Sequence, residues 1–71
     1  METLSEIFAK TIKDLREEKG LTKVALAKAL GISHTAIINW ENGSKVPSIF
    51  TFVELANFFD VPLDYLVGRE K

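Results

Sequence analysis

A single glycine set between two short amphipathic runs constrains this chain more than any other feature. In the stretch from Lys23 to Trp40, KVALAKALGISHTAIINW, apolar residues fall at Leu26, Ala27 and Leu30 before Gly31, and at Ile32, Ile37 and Trp40 after it. That pattern is one helical face on each side of a break. Ala27 is small where a second helix must cross closely, and Gly31 tolerates the positive φ that a sharp corner between helices requires. Ser33 follows at once as an N-cap, its hydroxyl placed to accept from the free N–H groups of the next turn. The second helix therefore starts near His34, with Ile37 and Trp40 inward and Ala36 partly covered. His34, Thr35, Ile38 and Asn39 point outward.

The rest of the chain reads as further helices supporting this pair. Thr3 and Glu6 have the spacing of a capping box, and a first helix runs from there to Lys19 before Gly20 ends it. Its buried stripe is Leu4, Phe8, Ile12 and Leu15, with Arg16 beside it. Thr22 caps the Lys23–Leu30 helix. A third helix runs from His34 to about Glu41 or Asn42; Asn42 and Gly43 then form a turn dipeptide, and residues 44–47 form a short loop. Ser48 caps a fourth helix reaching Phe59, whose core stripe is Ile49, Phe52, Leu55, Ala56 and Phe59. Phe50 and Val53 are left as a second, smaller apolar face. Pro62 suits the start of a last short helix, Leu63 to Val67, before Gly68. The expected class is all-α, one domain over residues 1–71 with the paired motif at 23–42 and supporting helices across 48–67.

Composition excludes several functions. Seventy-one residues with no cysteine and one histidine give neither a disulfide framework nor a zinc site. A core of this size supplies a net stability of at most roughly 3 to 5 kcal/mol. The acidic amino terminus does not look like a signal peptide, and no apolar run approaches the roughly 18 residues of a membrane span. A cytoplasmic protein with no membrane contact is expected. No nucleophile with a base, no paired catalytic carboxylates and no glycine-rich phosphate loop are present. No enzyme, cofactor, metal or small-molecule substrate is therefore expected. The formal net charge of −1 is unevenly spread: residues 1–21 carry −1, residues 22–47 carry +2 and residues 48–71 carry −2. Positive charge is concentrated on the motif.

Five pieces in order, IKDLREEKGLT, ALAKALGIS, INWENG, KVPS and FFDVPLDYLVGR, make the chain resemble the Cro/C1-type (XRE) helix-turn-helix domain of phage repressors and small bacterial regulators. The resemblance spans nearly the whole chain. It implies a compact five-helix, lambda-repressor-like domain that binds duplex DNA, with the third helix in the major groove. His34, Thr35, Ile38 and Asn39 would then meet base edges. Asn39 suits adenine N6 and N7, and Ile38 suits thymine methyls. His34 is either such a contact, to a base or a phosphate, or a solvated side chain at the helix edge. Lys23, Ser33, Asn42, Ser44 and Lys45 would contact phosphates, which orient the helix without reading sequence. The family pairs an arginine at the position of Arg16 with a glutamate at that of Glu41.

Several positions depart from the family pattern, Ile38, Phe50 and Val53 among them, where relatives are more often polar. Lys23 stands where glutamine is usual, and Val24 is apolar where the surface is usually polar. A homodimer on an inverted repeat is expected, because one short helix reads too few bases; Phe50, Val53, Tyr65 and Val67 are the candidate dimer surface. Phe58 and Leu66 complete the small core as readily as they join that surface. The other reading is a protein-binding module of the same fold, an antitoxin or anti-regulator component. Larger relatives carry a further domain, so the chain reads either as a minimal regulator or as an amino-terminal domain.

Overall fold

The computed structural model describes residues 2–69. Five helices follow one another: α1 (Leu4–Glu18), α2 (Lys23–Leu30), α3 (His34–Glu41), α4 (Ile49–Phe59) and α5 (Leu63–Leu66). Four of them begin with a side-chain cap that satisfies an N–H no helix can bond internally. Thr3, Thr22, Ser33 and Ser48 accept from the backbone N–H groups of Glu6, Ala25, Ala36 and Thr51. At Thr3 the box is complete, since Glu6 Oε1 also accepts from the Thr3 N–H at 2.9 Å.

The α2–α3 corner is made by Gly31, whose φ of 71° is left-handed. Its N–H donates to Lys28 O at 3.2 Å, and the Ile32 N–H donates to Ala27 O at 3.0 Å. These bonds satisfy carbonyls that the end of α2 would otherwise leave open, and a side chain at Gly31 would strain that conformation.

Helix α3 packs on both α1 and α2, while α5 packs on both α1 and α4. The core that results is Phe8, Ile12, Leu15, Leu26, Ala27, Ile37, Trp40, Leu55, Ala56, Phe59 and Leu66. Each large apolar side chain fully withdrawn from water contributes about 1.5–3 kcal/mol. Phe8 is a hinge of this packing, with its ring centroid 6.1 Å from Trp40 in an edge-on arrangement and 5.4 Å from Phe52.

Two expected core residues lie outside it. Leu4 and Ile49 are each 63% exposed. Both occupy the first position of their helix. Ala9 takes the extra burial on α1. Leu66 is fully buried and Phe58 packs against the core, edge-on to Phe59 at 5.0 Å. Tyr65 also packs against the core and Val67 is half-buried. Of the four residues expected on a dimer surface, only Phe50 and Val53 stand free, at 81% and 40% exposure.

Candidate nucleic-acid interface

The α3 helix divides cleanly by its 3.6-residue period. Ile37 and Trp40 face the core, Ala36 is half-buried, and His34, Thr35 and Ile38 are exposed. Asn39 departs from the expected outward placement: it is half-buried, because the following loop folds back across it. The Asn39 carbonyl accepts from Ser44 N–H at 3.1 Å, and the Ser44 hydroxyl lies 3.3 Å from that carbonyl and 3.4 Å from Asn39 Oδ1. Asn42 Oδ1 accepts from the same Ser44 N–H at 2.9 Å. The amide NH2 of Asn42 is left for other partners.

The end of α3 is fastened to α1 by an ion pair. Arg16 Nε donates to Glu41 Oε2 at 2.6 Å, one terminal nitrogen donates to Glu41 Oε1 at 3.0 Å, and the other donates to Leu21 O at 2.8 Å. The two side chains are only 9% and 5% exposed. The hydrogen bond to Glu41 raises the arginine pKa above its ordinary value, against the smaller opposing effect of burial. Charge-assisted, two-point geometry of this kind is among the strongest side-chain contacts. It has an electrostatic consequence: Glu41 is the sole acidic residue between positions 22 and 47, and its charge is cancelled by Arg16. Within residues 22–47, Lys23, Lys28 and Lys45 therefore have no uncompensated carboxylate among them, although Glu17 of α1 lines the same cleft as Lys23.

Above the ion pair lies an open cleft lined by Lys13, Arg16, Glu17, Lys23, Ile38, Glu41 and Asn42. It brings together two of the expected phosphate contacts, Lys23 and Asn42, with one expected base contact, Ile38. Ser33 sits apart at the α3 amino end, and Ser44 and Lys45 lie on the loop beyond α3; all three are exposed. Ser33 Oγ accepts from Ala36 N–H at 3.2 Å, which leaves the hydroxyl proton free to donate. Lys13 was absent from the expected set. Its signal in the sequence is position: it lies three residues before Arg16 on α1 and so shares the face that Arg16 turns to α3.

Among the described residues there is no group of three or more His, Cys, Asp or Glu able to hold a metal ion. No helix among them is long and apolar enough to cross a membrane.

A family model described as helix-turn-helix matches residues 12–66. The chain belongs to the Cro/C1-type helix-turn-helix family. Among curated relatives of this family, it is 38% identical over 64 residues to the uncharacterized HTH-type transcriptional regulator YqaE of Bacillus subtilis, covering 90% of this chain and 55% of that protein. It is 34% identical over 67 residues to YazB of the same organism, another uncharacterized HTH-type transcriptional regulator, covering 94% and 97%. It is 33% identical over 62 residues to the cryptic phage CTXphi transcriptional repressor RstR of Vibrio cholerae, covering 87% and 56%. Unlike its match to YazB, the chain spans about half the length of YqaE and RstR. The Cro/C1-type match begins inside α1, so it takes in Lys13 and Arg16 along with the motif.

Proposed function

We propose that this Cro/C1-type domain is a cytoplasmic, sequence-specific regulator of transcription that binds duplex DNA. It is a repressor, occupying an inverted-repeat operator as a homodimer and excluding polymerase from it. The observation that carries this reading is the α3 surface: His34, Thr35 and Ile38 stand exposed beside a cleft holding Lys13, Lys23 and Asn42. Cations on that cleft suit phosphates, and the α3 side chains suit base edges in the major groove. In the same reading Asn39 presents its amide to adenine, and Ser33, Ser44 and Lys45 hold the backbone on either side. The repressor role draws on the similarity to the phage transcriptional repressor RstR.

The dimer follows from the short reading helix and from size. Half-sites one helical turn apart place two domains about 34 Å centre to centre, and the Cα extents of 30 × 24 × 23 Å allow two copies to touch at that spacing once side chains are added. Their contact falls on Phe50 and Val53, extended by Val46 and Ile49, all exposed. Residues 46–53 hold no ionisable side chain, so two such faces meet without charge repulsion.

The exposure of Phe50 also favours a second reading, a module that holds another protein through this face. Selection of duplexes from a random pool at about 100 mM salt distinguishes the two. An enriched inverted repeat is expected. A single half-site refutes the dimer, and no enrichment refutes the regulator in favour of the protein-binding module.

A further inference from the structure

The corner between α3 and its following loop is the sequence Asn42–Gly43. Asparagine before glycine is the pairing in which the next backbone nitrogen meets least steric hindrance on its way to the side-chain carbonyl. Asn42 is exposed, and its Oδ1 is drawn forward over that backbone by the Ser44 N–H at 2.9 Å. That bond polarises the amide and makes its carbon more electrophilic. The other described asparagines precede Trp40 and Phe58, whose bulk obstructs the same approach.

We propose that Asn42 is a site of spontaneous, irreversible modification that acts as an off switch. The Gly43 nitrogen loses its proton to solvent and attacks Asn42 Cγ, a C–N bond forms, and the side-chain nitrogen leaves as ammonia. Water then opens the five-membered imide at either carbonyl, leaving aspartate or isoaspartate. No oxidation or reduction takes place.

The fold sets the rate. Asn42 lies at φ −94° and ψ 0°, and the Gly43 N–H donates to Trp40 O at 3.2 Å. Cyclisation requires that bond to open and the Asn42 ψ to rotate. It is a terminal bond of a helix, where local opening costs little. The product removes the Asn42 NH2 donor and adds a negative charge beside Lys23 in the cleft. Isoaspartate also lengthens the backbone between α3 and the Ser44–Lys45 loop. The loss of DNA binding rests on the proposed function; the modification itself does not.

The test follows the folded protein and a free peptide of residues 39–47 side by side in mildly alkaline buffer, by peptide mapping with mass detection and isoaspartate chromatography. Asn42 is expected to convert while Asn39 and Asn57 remain amides, with the protein within about a hundredfold of the peptide, as for opening of an end turn. An intact Asn42 at longer times, or conversion no faster than at Asn57, overturns the site. Converted and intact protein are then separated by anion exchange and titrated with mixed-sequence duplex DNA. Converted protein is expected to bind about tenfold more weakly or worse, and Asn42→Asp to do the same while remaining folded, at a slightly lower unfolding midpoint because its carboxylate sits at the negative end of α3. Equal binding overturns the switch. If intact protein binds no duplex at all, the DNA reading fails and takes the switch with it, while conversion at Asn42 still stands or falls on the mapping.

Discussion

Replacing Arg16 with methionine removes one half of the Arg16–Glu41 pair while keeping most of the volume. Glu41 then holds a carboxylate that is 5% exposed and has lost both of its donors, and Leu21 O loses a third bond. Stranding a buried charge in this way costs about 3–5 kcal/mol. The whole domain has about that much to lose, so Arg16→Met is expected to be largely unfolded at 25 °C. Adding Glu41→Leu removes the stranded charge, and the double variant is expected to return to within about 1 kcal/mol of the parent, since hydrophobic replacement of a buried pair is often neutral. Urea unfolding followed by fluorescence of Trp40, the one tryptophan, reads this directly because that ring is 5% exposed in the fold. The guanidinium pKa is raised, so its contribution is fully present below the ordinary arginine value and is lost only above it. The measurement is made at neutral pH. A single-variant cost below about 1 kcal/mol, the size of an exposed pair, would refute the reasoning. So would a double variant as unstable as the single.

Three further outcomes are expected. Gly68→Ala lowers stability by about 1–3 kcal/mol, because φ is +75° and the new Cβ would lie 2.8 Å from Ile7 Cγ2 on α1; thermal unfolding checks it. Asp60→Gly raises stability by about 0.5–1 kcal/mol, because Asp60 holds a φ of 55° and sets a carboxylate against the negative end of α4; a lower urea midpoint contradicts this. Lys13→Gln and Lys23→Gln each weaken DNA binding across all sequences and reduce the log–log salt slope by about 1. In fluorescence anisotropy, an unchanged slope for Lys13→Gln removes that residue from the interface.

What was legible in the sequence was what is decided locally. Thr3, Thr22, Ser33 and Ser48 are caps because of the few residues that follow each of them, and all four bond as expected. Gly31 makes its corner for the same reason. What was not legible depends on neighbours distant in the chain. Leu4 and Ile49 carry the right period but sit at helix ends that nothing reaches. Tyr65 belongs to a helix of four residues, too short for a period to say which side is covered. Lys13 enters the cleft only because Arg16 draws α1 against α3. Asn39 has the phase of an outward residue and is half-covered because Ser44 brings the loop back over it.

The partition of α3 has a consequence for how such a protein can diverge. Ile37, Trp40 and Glu41 hold the helix in place, whereas His34, Thr35 and Ile38 make no hydrogen bond through their side chains among the described residues. Substitutions at free surface positions usually shift stability by no more than about 0.5 kcal/mol. If these side chains read base edges as proposed, that address can be rewritten while the mounting stays untouched, and a set of mutually orthogonal variants can be generated on one unchanged scaffold.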